Sequence, residues 1–372
     1  MKITCQKADL LKAVNIVSKA VPTRTTMPIL ECILLDASAD TFKLTANDME
    51  LGIETIVTGT IEERGSIALD ARVFSDIVRK LPDSTVVIET SHSMQTTITC
   101  GKAQFTIVGK EGDDFPYLPY VERSEAITIS QFTLKEVIKQ TLFAAADNDS
   151  NKIMTGEFFS IHDSRLQVVA LDGHRIAIRN IELKKAYAPQ EMIVPGKTLQ
   201  EISKILTGEI DSMVDIYATP NHILFEFDGT KVVSRLLEGK YFQIEQMLSD
   251  NYETTFRTNK RDLYDCVERA SLLISESDKK PIIMKIRDGK VDMLVRSFIG
   301  SMNEEIDIEK EGRDLTIGFD PKFFIDALRV IDDEEISLYL INSKAPCFIK
   351  DDAGSYIYLI LPVNFNERDY ED

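Results

Sequence analysis

The residues with the clearest capacity for chemistry surround one histidine. His174 lies between Gly173 and Arg175, where it could act as a general base. Asp172 and Asp48 follow two similar strands, and a pair of carboxylates can hold a metal ion for hydrolysis. However, the chain has only four histidines and lacks the HExxH, P-loop, GxGxxG and GxSxG motifs. The repeated aspartate therefore favours a structural turn over an enzyme, and we predict no catalytic residue, metal or cofactor.

The composition limits the class of protein. A chain of 372 residues is suited to two or three domains, and 44% hydrophobic with 28% charged residues is ordinary for a globular protein. There is no membrane-spanning apolar run and no signal peptide, and five scattered cysteines are typical of reduced thiols, so we expect a cytoplasmic protein that does not bind membranes. The net charge of −18 argues against a conventional nucleic-acid binder.

The elements that position these residues recur three times along the chain. Apolar residues at helical spacing follow Leu10, Leu134 and Leu263, which lie 124 and 129 residues apart. A second helical set recurs every 125 residues, at Phe74, Leu199 and Phe324. The predicted helical segments are 6–20, 70–82, 130–145, 195–206, 259–274 and 320–331.

Stretches of period two between the helices predict antiparallel strands, and Asp228-Gly229 is a typical hairpin turn. The fold class is therefore α+β, with three copies of one unit that holds two helices and antiparallel sheets. Polar linkers place the domains at residues 1–124, 125–252 and 253–372.

Charge is distributed unevenly between helices and strands. The six helical segments hold 15 basic and 10 acidic residues, which leaves 28 basic and 51 acidic residues elsewhere. A single surface lysine or arginine is normally only solvated, but the total suggests a helical surface that faces phosphates. Contacts of this kind carry no sequence information.

Several short strings of residues, taken together and in their order along the chain, resemble the beta subunit of bacterial DNA polymerase III, the sliding clamp. The resemblance covers essentially the whole chain. The most specific string is Asp172-Gly173-His174-Arg175. The other strings are Arg24-Thr25-Thr26-Met27-Pro28-Ile29-Leu30, Leu44-Thr45-Ala46-Asn47-Asp48-Met49-Glu50, Asp114-Phe115-Pro116, Leu237-Glu238-Gly239-Lys240-Tyr241, Ile317-Gly318-Phe319-Asp320-Pro321-Lys322 and Leu361-Pro362-Val363.

The resemblance implies a head-to-tail homodimer whose six domains close a ring, with helices lining the pore around double-stranded DNA. Phe105, Leu272 and Leu273 match its dimer interface, although ordinary core positions are an equally good interpretation. The positions that match basic pore residues are Arg24, Arg72, Arg79, Lys197 and Lys322. Lys152 replaces a family aromatic and could contact phosphate instead.

The resemblance also implies an apolar cleft in which peptide motifs of the replicative polymerase, the clamp loader and repair proteins dock. Phe242, Gln246 and Asp320 depart from the usual Pro, Arg and Asn, and we hypothesise that the acidic tail 366–372 partly shields the cleft. The matching cleft positions are Met154, Leu171, Gly173, His174, Arg175, Ile176, Phe242, Gln246, Met247, Phe323, Cys347, Ile360, Leu361, Pro362 and Val363. A scaffold of the same fold that binds proteins but not DNA is the alternative function.

Overall fold

The six predicted helical segments all form α-helices in the computed structural model, which describes residues 1–148, 150–275 and 280–366. Each segment has apolar residues on one face, and these residues are buried. The helices are α1 (Lys7–Val17), α2 (Ala71–Lys80), α3 (Gln131–Thr141), α4 (Gly196–Ile205), α5 (Lys260–Ser271) and α6 (Pro321–Val330).

Short polar side chains fix where these helices begin. The carboxylate of Asp70 accepts a hydrogen bond from the Val73 amide at the start of α2, and Asp320 accepts one from the Lys322 amide at the start of α6. Such caps satisfy amides that have no partner within the helix. Pro321 follows its cap directly, in the first helical position, where the missing amide hydrogen is not needed.

The described residues also form antiparallel strands, most of them five to seven residues long. These strands are β1 (Lys2–Gln6), β2 (Cys32–Asp36), β3 (Phe42–Asn47), β4 (Leu51–Val57), β5 (Gly59–Glu63), β6 (Ser66–Asp70), β7 (Thr85–Thr90), β8 (Gln95–Cys100), β9 (Ala103–Val108), β10 (Lys110–Glu111), β11 (Ile127–Ser130), β12 (Gly156–Leu171), β13 (Arg175–Pro195), β14 (Met213–Ala218), β15 (His222–Phe227), β16 (Thr230–Arg235), β17 (Thr254–Asn259), β18 (Ile282–Arg287), β19 (Lys290–Arg296), β20 (Ser301–Asp307), β21 (Glu309–Gly312), β22 (Leu315–Phe319), β23 (Glu335–Leu340), β24 (Cys347–Lys350) and β25 (Tyr356–Ile360).

The first compact unit comprises Met1–Leu134 and Lys197–Leu236. It contains a five-stranded sheet in the order β5-β1-β7-β8-β9 and a nine-stranded sheet in the order β10-β6-β2-β3-β4-β16-β15-β14-β11. Strand β4 pairs with β16, and the hydroxyl oxygens of Thr55 and Thr230 lie 2.8 Å apart in this pairing. The nine-stranded sheet thus continues from the first predicted repeat into the second.

The linker between those repeats crosses the same junction. A Cβ atom on Gly52 of β4 would lie only 2.2 Å from Cδ2 of Leu118. The guanidinium of Arg123 donates two hydrogen bonds to the carboxylate of Glu226 on β15, at 2.9 and 2.6 Å. We call residues 115–123 the linker strap, and glycine at position 52 lets this strap lie directly on the sheet.

The second compact unit comprises Lys135–Gly196 and Leu237–Asp372. Its seven-stranded sheet runs β12-β13-β25-β24-β23-β17-β21, and its four-stranded sheet runs β20-β19-β18-β22. Strand β13 pairs with β25, so this sheet joins strands of the second and third predicted repeats. Because neighbouring repeats share sheets, the two compact units do not follow the repeats, and the boundaries near residues 124 and 252 stay a prediction.

One carboxyl group lies in the core of the second unit. Glu157 on β12 is 0% exposed, and its Oε1 atom accepts a hydrogen bond of 2.9 Å from the Thr141 hydroxyl. Its Oε2 atom has no hydrogen-bond partner among the described residues. Burial raises the pKa of Glu157 well above its usual value, and the Thr141 hydrogen bond opposes this shift only partly.

Candidate functional site

The second unit contains an apolar groove with a volume of about 370 Å³. Most of the predicted cleft residues meet there, and Pro346 and Leu359 join them. The groove is lined by Met154, Leu171, Gly173, His174, Arg175, Ile176, Phe242, Met247, Pro346, Leu359 and Leu361.

The turn between β12 and β13 places the central residues of the groove. Oδ1 of Asp172 accepts hydrogen bonds from the amides of His174 and Arg175, at 3.0 and 3.1 Å. Gly173 has a φ of 86°, a conformation that glycine adopts without strain. Asp172 therefore fixes the turn, which is the structural role that the sequence favoured.

Asp48 holds the matching turn of the first repeat in the same way. Its Oδ1 atom accepts from the amides of Glu50 and Leu51, at 3.0 and 2.7 Å. Asp48 and Asp172 thus each build a turn within their own repeat. In the described part of the chain, no three histidine, cysteine, aspartate or glutamate side chains are grouped to hold a metal ion.

The segment after β25 supplies a part of the lining that lies beside the turn between β12 and β13. The Leu361 amide donates to the carbonyl oxygen of His174 at 2.9 Å, and the Val363 amide donates to that of Gly318 at 2.8 Å. The His174 ring stacks on Phe323 of α6, with centroids 5.8 Å apart. These contacts hold Leu361 and His174 on the surface of the groove.

Arg175 is the one charged side chain in the lining, and each of its three guanidinium nitrogens donates a hydrogen bond. Its Nε atom donates to Asp172 at 2.9 Å, Nη1 donates to Asp326 at 2.6 Å, and Nη2 donates to the carbonyl oxygen of Phe143 at 2.6 Å. The guanidinium also lies over the rings of Phe143 and Phe323, at 5.4 and 4.9 Å from their centroids. Its side chain is 8% exposed.

Aromatic and methionine side chains form the remaining rim. Phe242 meets the ring of Tyr241 edge to face at 5.6 Å, and Tyr241 stacks on Phe158 at 4.8 Å. Met247 is exposed and Met154 is half-buried. Flexible methionines suit a surface that adapts to different apolar side chains.

Some predicted cleft residues support the groove without lining it. Cys347 is 0% exposed and pairs with Ile360, which is also buried, in the β24–β25 ladder. Successive residues of β25 face opposite sides, so Leu359 reaches the groove while Ile360 faces the core. The spacing of two between Leu359 and Leu361 was the signal that could have identified Leu359.

The other departures from the expected lining are at the surface. Gln246 is exposed and donates a side-chain hydrogen bond to Gln243. Phe323 reaches the groove through its stack with His174, while Pro362 and Val363 are half-buried beyond Leu361. Of the tail 366–372, only Asn366 lies within the described residues, so the shielding hypothesis falls outside them.

The predicted DNA-facing residues are all exposed, and three of them share one position. Arg72, Lys197 and Lys322 are each the second residue of a helix, in α2, α4 and α6 respectively. Lys197 donates to Asp48 at 2.6 Å, and Arg79 donates to Asp76 at 2.8 Å. Arg24 and Lys152 lie outside the α-helices.

One of the residues predicted for a dimer interface lies on an edge strand, and the other two follow helix α5. Phe105 is on β9, at the end of the five-stranded sheet, and is 39% exposed. Leu272 follows α5 and is 76% exposed, and Phe298 and Ile299, in the turn before edge strand β20, are also exposed. The core interpretation of Phe105 and Leu272 is therefore wrong, whereas Leu273 does pack partly against the core.

Comparisons with known proteins agree along nearly the whole chain. Residues 1–119, 128–243 and 245–364 match the N-terminal, central and C-terminal domains of the DNA polymerase III beta subunit. The chain belongs to the DNA polymerase III beta subunit family. The three tandem clamp domains, and the prediction of a sliding clamp rather than an enzyme, are thereby confirmed.

Relatives of this clamp family match over nearly their full length. A beta sliding clamp of Staphylococcus epidermidis is 34% identical over 98% of this chain and 99% of the relative. A solved structure of a putative DNA polymerase III beta subunit from Eubacterium rectale is 68% identical, with a TM-score of 0.96 over 98% of this chain and 100% of that one. The Bacillus subtilis sliding clamp is 35% identical, with a TM-score of 0.95 over the same shares.

None of the helices in the described ranges has the length and apolar character needed to cross a membrane.

Proposed function

We propose that two copies of this clamp close head to tail around duplex DNA, and that the groove holds the replicative polymerase, the clamp loader and repair proteins by short peptide segments. The observation that carries the proposal is the apolar groove. A groove of about 370 Å³ suits an extended peptide with a few apolar side chains. Bound partners would then move with the clamp along DNA.

The free sheet edges support the dimer. Strand β9 contains no charged residue and no proline, and Phe105 and Val108 on it are exposed. An edge strand without such protection tends to pair with another strand. Strand β20 is the edge of the four-stranded sheet, and exposed Phe298 lies three residues before it in sequence, while exposed Leu272 directly follows α5. Pairing of β9 with β20 of a second copy would cover both edges, and the same contact made twice closes a ring.

The basic residues support a sequence-independent hold on DNA. Arg72, Lys197 and Lys322 repeat at one position of three helices, and they are exposed. Neutralising phosphates with a few such charges gives an affinity that falls steeply with salt concentration. Replacing all three with serine should reduce the slope of log affinity against log salt by about three for one chain.

The dimer is tested by light scattering on Phe105→Asp across a dilution series. A wild-type mass near twice 42.0 kDa and a Phe105→Asp mass near 42.0 kDa are expected, because the new carboxylate would be buried without a partner. Tyr117→Asp is the matched control, since Tyr117 is an exposed aromatic residue on the linker strap of the same unit. A wild-type chain that stays monomeric at micromolar concentration contradicts the ring.

Topological binding is tested with a nicked circular plasmid and the clamp loader. Wild-type clamp should stay on the circle in high salt and leave after one cut in the plasmid, whereas Phe105→Asp should not be retained. Equal retention on circular and linear DNA would favour ordinary electrostatic binding. Absence of any retention would favour the scaffold that binds only proteins.

A further inference from the structure

We propose that Asp326 on α6 is a positioning residue that holds Arg175 in the groove wall, so that the groove selects apolar side chains and not acidic ones. The inference rests on the proposed peptide-binding function. In this proposal Arg175 supports the wall of the groove and does not pair with a charged group of the partner.

The geometry commits one N–H group of every guanidinium nitrogen of Arg175 to a partner within the unit. Each of its three guanidinium nitrogens donates a hydrogen bond within the unit, to Asp172, to Asp326 and to the Phe143 carbonyl oxygen. The rings of Phe143 and Phe323 cover it as well. An arginine recognises a carboxylate best through two parallel N–H groups, and the pair that includes Nε–H is already committed because this group donates to Asp172.

Charge neutralisation explains why an apolar wall can include a guanidinium. A buried cation destabilises a protein unless it is paired and hydrogen-bonded. Asp172 also holds the turn through two backbone amides, so it is fixed independently of Arg175. Asp326 has no such backbone role in the contacts of α6, and its carboxylate is the nearest charged partner of Arg175, at 2.6 Å.

The same ion pair joins α6 to the turn between β12 and β13. Phe323 lies three residues before Asp326 on the helix, and it stacks on His174 of that turn. Holding Arg175 therefore also fixes the position of the Phe323 ring relative to His174. Loss of the Asp326 charge would release the guanidinium toward the groove and loosen this wall.

The experiment measures binding of two fluorescein-labelled synthetic peptides by fluorescence anisotropy. One peptide has two leucine anchors and one phenylalanine anchor, and the other has glutamate in place of the phenylalanine. Asp326→Asn should weaken binding of the apolar peptide by roughly tenfold, within the range for residues coupled in one hydrogen-bond network. It should also reduce the preference for the apolar over the acidic peptide, because the released Arg175 can now pair with glutamate.

Two further variants separate positioning from general damage. Asp326→Glu keeps the charge and should restore most of the affinity and the preference. Asp265→Asn on α5 removes a half-buried helical aspartate that pairs with Arg261, outside the groove lining, and should change neither. If Asp326→Asn binds both peptides as the wild type does, or loses both in equal proportion, the positioning role is wrong while the groove stands. If the wild type binds neither peptide, the proposed function and this inference both fail.

Discussion

Replacing Glu157 with glutamine should make the stability of the second unit less dependent on pH. The carboxyl group is completely buried, Thr141 is its single hydrogen-bond donor, and Oε2 has no partner in the described residues. Burial raises the pKa of Glu157 well above its usual value, so the folded chain keeps a proton that the unfolded chain releases. The stability that depends on this proton is present below the unfolded pKa, and is lost as the pH rises toward the folded pKa.

The size of the effect follows from one proton. Between the two pKa values, the free energy of unfolding falls by about 1.4 kcal/mol for each pH unit, because one proton more is bound in the folded state. Glutamine does not titrate, so the variant lacks this contribution to the slope. Its amide can still accept from Thr141 through its oxygen, and the cost of its unpaired NH₂ group is the same at every pH.

Hydrogen exchange measured by mass spectrometry suits this test, because unfolding of a chain with several domains is not a single transition. The opening free energy of peptides that cover α3 and β12 is compared at pH 5, 6 and 7, after correction for the intrinsic exchange rate. The difference between Glu157→Gln and the wild type should grow with pH, by at most about 1.4 kcal/mol per unit while the pH lies between the unfolded and the folded pKa. Parallel curves for the two proteins would refute the argument that a protonated carboxyl group is buried there.

Two further substitutions test packing and an ion pair. Gly52→Ala should lower the free energy of unfolding of the first unit by about 1–3 kcal/mol, because the new Cβ would overlap Leu118. Thermal unfolding measures this loss, and adding Leu118→Ala should recover part of it. Lys310→Met should lower the melting temperature at neutral pH, because the ammonium group contacts Asp288 and Asp314 at 2.7 and 2.8 Å. Those contacts raise the pKa of Lys310, so its stabilisation is present at neutral pH and lost only at strongly alkaline pH. The difference should disappear at strongly alkaline pH, and a difference that persists there would contradict this account.

The sequence predicted the helices well because their signals are local. Apolar spacing identified all six segments, and the caps at Asp70 and Asp320 begin two of the helices within one residue of the predicted start. Periodicity of two likewise identified the strands. These patterns depend on residues a few positions apart, so they can be read from one sequence without knowledge of long-range contacts.

The pairing of strands could not be read in the same way. Strand β4 pairs with β16, almost 180 residues away in sequence, and no turn or spacing signals that contact. The sharing of sheets between repeats follows from such pairings. This sharing also explains why the two compact units have other boundaries than the three repeats that the sequence shows.

The groove was predicted mainly through the family resemblance. The resemblance identified the turn at Asp172 and the segment at Leu361, which do line the groove. It did not distinguish side chains in the lining from those behind it, such as Cys347, because that depends on which face of a strand each residue occupies. The internal ion pairs of Arg175 depend on Asp326, about 150 residues later, and were likewise not predictable.

The continuous sheet across β4 and β16 has a practical consequence for anyone who cuts this chain into pieces. A fragment that ends near residue 124 would keep β4 and the linker strap but lose β16, so five consecutive residues, Leu51–Thr55, would lose their ladder partners. The fragment would thus have a fresh unpaired edge, and such edges promote aggregation. A single repeat expressed for crystallisation or ligand screening should therefore need a charged substitution on edge strand β4 to stay soluble, such as lysine in place of exposed Ile56.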